Sequence, residues 1–148
     1  MTEQSGEGED FVESFVEAWK RLHRLAERSL ASTGLTLAEL RVLRFLSTSG
    51  PSPMARIGSH LYMTPASITG LVDALEEQHL VTRERDTRDR RVVHVRVTPL
   101  GVERFETGRK HYNKFMETTL RSLSKEEARQ VVEIFAKLNR AAESIQAQ

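Results

Sequence analysis

The stretch of residues 64–101 most limits the fold, because a helical pattern there is followed directly by two strand patterns. Thr64 and Pro65 form a helix cap with proline at the first helical position, where its missing N–H costs nothing. Apolar residues then recur at three- and four-residue steps, which predicts a buried helical stripe of Ile68, Leu71, Val72 and Leu75. Val81–Asp86 and Arg91–Val97 are predicted to be the two strands of a hairpin. The region is therefore expected to be a small lobe with one helix beside a β-hairpin.

The rest of the chain has helical patterns. The predicted helices cover about residues 10–32, the segment from Thr36 to the Ser-Gly-Pro-Ser-Pro run at 49–53, Met54–Leu61, the segment from Thr98 to about Leu120, and the segment from Ser124 onward. Two of these starts have the spacing of a capping box, with Glu39 after Thr36 and Glu127 after Ser124. The helix from Thr64 is expected to end at position 79 through a residue with positive φ, a conformation that favours glycine. The chain has His79 there.

Composition excludes several classes of protein. With 148 residues the chain is one ordinary domain, and with no cysteine it has no disulfide, no thiolate zinc site and no thiol chemistry. No apolar run is long enough to cross a membrane, and the acidic start is not a targeting signal, so we expect a cytoplasmic location. Residues 1–9 are interpreted as a disordered acidic tail, because they contain little to bury. No cofactor and no metal are expected.

Arginines are concentrated in one part of a nearly neutral chain. The net charge is only +1, but the hairpin region contains Arg83, Arg85, Arg88, Arg90, Arg91 and Arg96. A phosphate backbone responds to the local density of charge and not to the total. This cluster therefore points to nucleic acid as a partner.

The first turns of the helix that starts at Thr64 suit an approach to base edges. Their solvent-facing residues are small and uncharged, namely Thr64, Pro65, Ala66, Ser67, Thr69 and Gly70. The positive end of the helix dipole also lies at this tip. An ordinary amphipathic helix with a polar outer face is the alternative, and the helix pattern by itself does not separate the two.

The predicted turn of the hairpin favours the DNA interpretation. Arg85, Arg88, Arg90 and Arg91 can project from it as a wing, and arginine is the residue typically inserted into a narrow minor groove. Asp89, two residues before Arg91, can hydrogen-bond and orient that guanidinium. The alternative is a solvated turn with exchanging surface ion pairs.

The order of elements, together with a set of residues, resembles the MarR family of winged helix-turn-helix regulators. These residues are Leu75-Glu76, Leu80-Val81, Arg83, Asp89, Arg91, Thr98 and Gly101, and the resemblance covers roughly residues 10–146. It implies a mainly α fold with a small β-hairpin wing, a homodimer, a pseudo-palindromic operator in double-stranded DNA, and repression relieved by a ligand. It also implies that the helix from Thr64 reads the major groove and that Arg91 enters the minor groove.

The resemblance further implies that different segments of the chain bind DNA and form the dimer. Residues 36–98 would form the DNA-binding lobe, and residues 10–35 with 99–148 the helical dimerisation region. Expected interface residues are Phe11, Phe15, Phe135, Leu138 and Ile145. A pocket for a small aromatic or anionic effector would be lined by Trp19, Lys20, His23, Leu37 and Tyr112. The alternative is that the aromatic residues of this pocket are ordinary core or interface residues.

Two other classes compete with a regulator. An enzyme is not supported, because no nucleophile elbow, phosphate-binding glycine loop or metal motif surrounds the Ser, His and Asp residues. A winged-helix protein-interaction module without specific DNA binding remains the alternative function. The helix tip itself contains no Arg, Asn or Gln, so bidentate base recognition is not expected there and DNA shape should contribute to specificity.

Overall fold

The computed structural model describes the backbone of residues 3–146 and the side chains of residues 10–145. Within these residues the chain forms six α-helices and three short strands. The elements in chain order are α1 (Glu3–Ser29), α2 (Leu37–Ser49), β1 (Ser52–Pro53), α3 (Met54–Leu61), α4 (Pro65–Glu77), β2 (Val81–Arg85), β3 (Val93–Val97), α5 (Pro99–Leu120) and α6 (Lys125–Gln146), with one turn of 3-10 helix at Ala31–Thr33. The predicted mainly α fold with a β-hairpin is confirmed.

Residues up to Tyr112 form one compact unit around a single apolar core. The fully buried large side chains of this core are Leu30, Leu43, Leu46, Ile57, Leu75 and Leu80. Leu30 directly follows α1, Leu80 directly precedes β2, and the others come from α2, α3 and α4. One core therefore holds these helices and the hairpin together. Burial of side chains of this size stabilises by about 1.5–3 kcal/mol each.

The start of α2 is built by the predicted capping box. Thr36 Oγ1 accepts from the backbone N–H of Glu39, and a Glu39 carboxylate oxygen accepts from the N–H of Thr36 at 2.8 Å. The other carboxylate oxygen of Glu39 accepts from Gln78 Nε2 at the end of α4. Glu39 is buried, and these bonds compensate for the loss of water around its charge. The cap thus also ties α2 to the C-terminus of α4.

Residues from Asn113 onward form a second unit that contains the end of α5 and the whole of α6. The second predicted capping box is present at the start of α6, where the N–H of Ser124 donates to Glu127 at 2.7 Å and the N–H of Glu127 donates to Ser124 Oγ. The backbone N–H of Ser124, and after it the Ser124 side chain, lower the pKa of Glu127.

The hairpin is part of a three-stranded antiparallel sheet with strand order β1-β3-β2. Val81 pairs with Val97 and Arg85 pairs with Val93, so the two strands lie inside the predicted limits. Sequence reasoning missed β1, because Ser52 and Pro53 have the character of a helix stop. They pair with Val95 and His94, which are about forty positions away and leave no local periodic signal.

Helix α1 begins at Glu3, within the segment 1–9 that the sequence predicts to be a disordered acidic tail. Met1 and Thr2 lie outside the described residues. Once the amphipathic part of α1 has nucleated, each added residue gains a hydrogen bond at little further cost. Acidic residues near a helix N-terminus also interact favourably with the helix dipole.

His79 ends α4 in a left-handed conformation with a φ of 59°. The N–H of His79 donates to the carbonyl of Glu76, and the N–H of Leu80 donates to the carbonyl of Leu75. This is the Schellman pattern that usually contains glycine, and the accompanying apolar contact is present because Leu75 and Leu80 are both fully buried. The predicted stop at position 79 is therefore confirmed, with histidine in the glycine-favoured conformation.

None of the helices in the described part of the chain is both long and apolar enough to cross a lipid bilayer.

Candidate DNA-binding surface

The N-terminal tip of α4 is exposed and uncharged. Thr64 caps the helix, with its Oγ1 accepting from the N–H of Ser67 at 3.2 Å, and Pro65 takes the first helical position. All six predicted recognition residues, Thr64, Pro65, Ala66, Ser67, Thr69 and Gly70, are exposed. A Cβ placed on Gly70 would meet nothing within 4 Å, so this side of the helix is open. The structure therefore places these six residues together on one accessible helix end.

The two hydroxyls at this tip have different hydrogen-bonding capacity left for a ligand. Ser67 Oγ lies 2.9 Å from Thr64 Oγ1, from which it accepts, so its own proton remains available for donation. Thr69 Oγ1 donates to the carbonyl of Pro65 at 2.8 Å, so its lone pairs remain available for acceptance. Ser67 can therefore act as a donor and Thr69 as an acceptor.

Arg83 of β2 joins the hairpin to α4. Its guanidinium donates to Asp73 and to Glu76 at 2.5 Å each, and its backbone N–H donates to Glu76 at 3.3 Å. Two of the three acidic side chains of α4 are thus matched by one arginine, which fixes the hairpin against the helix. The sequence had indicated Arg83 as a member of the arginine cluster and of the family resemblance, and not as the link to α4. The available signal was a pair of acidic residues, one helical turn apart, followed by an arginine in the next strand.

The turn of the hairpin is organised by Asp86, whose role was also missed. Its Oδ1 accepts from the backbone N–H groups of Arg88 at 2.7 Å and Asp89 at 3.0 Å. Its Oδ2 lies 3.2 Å from Nε2 of His94 on the opposite strand. These donors, with the N–H of Asp89 first, lower the pKa of Asp86. An Asp directly after a strand commonly forms a turn, because its side chain accepts from the backbone N–H two residues later. This was the signal available in the sequence.

The predicted pairing of Asp89 with Arg91 is present. Arg91 donates from Nε and Nη2 to the two carboxylate oxygens of Asp89, both at 3.0 Å, and its backbone N–H donates to the same group. The hydrogen bond from the Arg91 side chain is the main cause that lowers the pKa of Asp89. The Arg91 side chain is nevertheless 91% exposed, so the pair orients the guanidinium without covering it.

The other predicted wing residues, Arg85, Arg88 and Arg90, are exposed, and none forms an ion pair with any side chain that the structure describes. Arg96, in contrast, is matched by Glu84 across the hairpin at 3.3 Å. The wing therefore carries cations whose charge is not cancelled locally, and the tip of α4 carries no charged side chain. This combination can bind a polyanion through the wing while the helix tip approaches closely.

The residues predicted for an effector pocket are only partly connected. His23 Nε2 lies 3.9 Å from a carboxylate oxygen of Glu27, and that carboxylate accepts from the backbone N–H of Leu37 at 3.1 Å. Leu37 and Tyr112 pack against the core. Trp19 is half exposed, and Lys20 forms an ion pair with Glu17 at 3.3 Å. The structure thus links His23 to Leu37 through Glu27, a residue that sequence reasoning did not select.

The predicted interface residues are all exposed apolar side chains. In α1, Phe11 is 70% and Phe15 is 42% exposed, and their rings stack with centroids 6.4 Å apart. In α6, Phe135 is 37%, Leu138 is 43% and Ile145 is 74% exposed. Exposed apolar residues in such number on a helix indicate a surface that a partner covers.

The histidines and acidic residues form no group of three or more suited to a metal ion within the described residues. His111 Nδ1, for example, lies 2.9 Å from the carbonyl of Thr107 on its own helix.

Comparison with known proteins places the chain in a family. The family model described as MarR family matches residues 35–93. The transcriptional repressor MdtR of Bacillus subtilis is 34% identical over 116 residues, which cover 78% of this chain and 75% of the relative. The YusO protein of Bacillus subtilis has a similar structure, with a TM-score of 0.67 and 28% identity over 93% of this chain and 97% of that one.

The same fold occurs in a solved complex. The S. aureus MepR–DNA complex matches with a TM-score of 0.79 and 21% identity, over 89% of this chain and 97% of that one, a likeness that concerns the fold alone. The family match and the similarity to MdtR span both the α4 helix and the arginine-rich hairpin. The chain therefore belongs to the MarR family of DNA-binding transcriptional regulators.

Proposed function

We propose that this regulator binds a pseudo-palindromic operator in double-stranded DNA as a homodimer and represses transcription until a small ligand releases it. The observation that carries the proposal is an uncharged helix tip and a basic wing on two elements that Arg83 joins through Asp73 and Glu76 of α4. A two-fold dimer presents its recognition helices about one helical turn of DNA apart, near 34 Å. Inverted half-sites at that spacing are therefore the expected target.

In this proposal the tip of α4 enters the major groove. Ser67 donates to a base acceptor such as guanine O6 or thymine O4, and Thr69 accepts from an amino group of adenine or cytosine. Ala66 and the methyl group of Thr69 suit contact with a thymine methyl. Gly70 allows the duplex to approach the helix backbone closely.

Arg91 is the residue that we assign to the minor groove. Asp89 holds its guanidinium in place before DNA arrives, which reduces the side-chain entropy lost on binding. The neighbouring Arg85, Arg88 and Arg90 meet phosphates and supply affinity that does not depend on sequence.

We assign dimerisation to the helices outside residues 36–98. The exposed apolar side chains of α1, and separately those of α6, are the surfaces that a second copy would cover. A small aromatic or anionic effector is assigned to the region of Trp19, Lys20, His23, Leu37 and Tyr112. Support comes from Glu27, which lies beside His23 and caps the first turn of α2, so a ligand near His23 can act on the DNA-binding lobe.

The alternative, a winged-helix protein-interaction module, has no support among the related proteins. We likewise propose no catalytic activity, in line with relatives that are transcriptional regulators, and we propose action in the cytoplasm, where such regulators meet DNA.

Selection of DNA fragments by the purified full-length protein tests the proposal. Random genomic fragments are incubated with the protein at moderate salt, and the bound fraction is sequenced. An enriched inverted repeat with half-sites one helical turn apart is the expected result. Retention of fragments without any shared sequence would overturn the specific-regulator assignment and would favour the interaction module.

A further inference from the structure

Helix α1 carries charges of opposite sign in its two halves. Residues 10–17 contain three carboxylates and no basic side chain, whereas residues 18–28 contain Lys20 and three arginines. The only carboxylate of that second half, Glu27, accepts from the backbone N–H of Leu37 at 3.1 Å. This helix therefore has an acidic end and a basic end.

Six of these charged residues lie on one side of α1. At 3.6 residues per turn they fall within a sector of about 80°, on the other side of the helix from Phe11, Phe15 and Leu22. We call them the charged stripe, and they are Asp10, Glu13, Glu17, Arg21, Arg24 and Arg28. All six side chains are exposed. A partner can therefore contact the charged stripe without covering the apolar side of the helix.

Most of the charged stripe is not neutralised within the chain. Glu17 pairs with Lys20 at 3.3 Å. The other five residues of the stripe form no ion pair with any side chain that the structure describes. Ala18 and Leu25 line, together with the arginines, an open depression of about 690 Å³. The stripe thus presents unmatched charges of both signs, with some apolar surface beside the cations.

The charges of the stripe are arranged symmetrically about position 19. Each carboxylate has an arginine at nearly the same distance on the other side, and the pairs are Glu17 with Arg21, Glu13 with Arg24, and Asp10 with Arg28. The first pair lies two residues and the last pair nine residues from position 19 on either side. The middle pair differs by a single position, which is an offset of about 1.5 Å along the helix.

This symmetry makes the stripe complementary to itself. When two copies of α1 pack antiparallel across a two-fold axis at position 19, every carboxylate of one copy faces an arginine of the other. A parallel pair would place like charges together, which is unfavourable. The antiparallel arrangement is therefore the one that the charges favour.

We propose that the charged stripe of α1 binds the same stripe of a second dimer in antiparallel orientation, so that dimers associate through α1. The inference rests on the proposed homodimer, which uses the apolar side of α1 and leaves the charged stripe exposed. Each dimer has two copies of α1, so a contact of this kind can extend beyond a pair of dimers. Dimers on adjacent operators would then stabilise each other on DNA.

A second copy fits the charged stripe better than two other partners do. DNA is disfavoured, because the carboxylates at one end of the stripe repel phosphates. An acidic peptide would match only the arginines and would leave the carboxylates without a partner. A second copy of α1 matches both ends at once. One exposed ion pair contributes little, but three pairs that a two-fold axis repeats act together.

Charge reversal at either end of the stripe tests the contact. Arg24→Glu with Arg28→Glu makes the stripe predominantly acidic, and Asp10→Arg with Glu13→Arg makes it predominantly basic. Combining all four changes in one chain restores two ends of opposite charge. Sedimentation velocity of each full-length protein is measured without DNA, at low salt and at about 1 M salt, where the screening length is about 3 Å.

The wild-type protein is expected to form species larger than a dimer at low salt and to be dimeric at high salt. Each reversal variant alone should weaken the association of dimers at least about tenfold, because like charges then meet across the contact. An equal mixture of the two variants, or the chain with all four changes, should associate again. Arg88→Glu with Arg90→Glu reverses two exposed cations of the wing and should associate like wild type, which makes it the matched control.

A wild-type protein that stays dimeric at every salt concentration would overturn this inference and leave the proposed homodimer standing. A protein that is monomeric at high salt would overturn the homodimer and this inference with it. Reversal variants that become monomeric would place the stripe inside the homodimer and contradict a contact between dimers. Association that both reversal variants retain, or a mixture of the two that does not associate, would show that the stripe does not bind itself.

Discussion

Asp86 controls the conformation of the wing through two backbone N–H groups and His94. Its position in a turn that also contains Asp89 and the basic side chains explains why the arginines project from a defined loop. The carboxylate does not need to touch DNA to affect binding, because it sets the position of the residues that we assign to DNA.

The pKa of Asp86 in the folded protein lies below its ordinary value of 3.8, which defines a pH dependence. The carboxylate is favoured by folding, so its contribution to stability is complete above about pH 4 and is lost as the pH falls through the lower folded pKa. We expect the amide protons of Arg88 and Asp89 to lose protection in that acidic range, as measured by NMR hydrogen exchange. In Asp86→Asn the acidic transition of these two amides should be absent, and an unchanged transition would contradict this role.

The left-handed conformation of His79 makes a prediction about stability. A β-branched residue is strongly disfavoured at this φ, so His79→Val should lower the free energy of unfolding by about 1–2 kcal/mol. His79→Gly relieves the backbone but gives the unfolded chain more freedom, so its net change should be under about 1 kcal/mol. Urea denaturation of both variants provides the comparison. Equal losses in the two variants would show that the side chain, and not the backbone conformation, matters at this position.

Gly70 lowers the stability of α4 but leaves the helix backbone accessible to a partner. A glycine in a helix interior costs roughly 0.5–1 kcal/mol relative to alanine, and a Cβ at Gly70 meets no protein atom within 4 Å. Gly70→Ala should therefore raise the free energy of unfolding by up to about 1 kcal/mol, as measured by urea denaturation. If the duplex approaches the helix backbone here, the same variant should bind the operator more weakly. A stabilised variant with unchanged operator affinity would show that DNA does not approach at Gly70.

At the level of elements, much of the fold follows from local chemistry. The capping boxes at Thr36 and Ser124, the proline after Thr64 and the alternating valines of β3 indicated where elements lie, because each signal lies within five residues. The short strand at Ser52 could not be predicted in this way, since its partner Val95 is remote in the chain. The extent of α1 was underestimated because cooperative growth of a helix is not visible in the composition of its first turns.

The candidate site shows the same division. Its exposed residues at the α4 tip and the pairing of Asp89 with Arg91 were predicted, because they depend on short spacings. The link from Arg83 to Asp73 and Glu76 was not, since it requires the hairpin to fold back on the helix. The sequence also could not predict which hydrogen bonds the hydroxyls of Ser67 and Thr69 can still form with a ligand. This depends on which lone pairs and protons are already used within the helix.

For the whole molecule, the exposed phenylalanines of α1 predict dependence on a second copy. Burying an aromatic ring of this size contributes about 1.5–3 kcal/mol, so Phe11→Ser with Phe15→Ser should shift the protein toward monomer by orders of magnitude in dissociation constant. Sedimentation equilibrium measures the shift. Tyr62→Ser, which changes an exposed aromatic residue inside residues 36–98, serves as the control. If the double variant has the same dissociation constant as the control, the α1 phenylalanines are not part of the dimer interface.

The measurement that bears most directly on DNA recognition by the wing is the operator affinity of Arg91→Ala beside that of Arg109→Ala. Both arginines are exposed and each is held by a nearby carboxylate, Asp89 or Glu106. Because only Arg91 is assigned to DNA, Arg91→Ala should lower operator affinity at least about tenfold, equal to about 1.4 kcal/mol, while the dimer stays intact. Arg109→Ala should bind like wild type. Equal operator affinity for wild type and both variants would contradict the assignment of the wing to DNA.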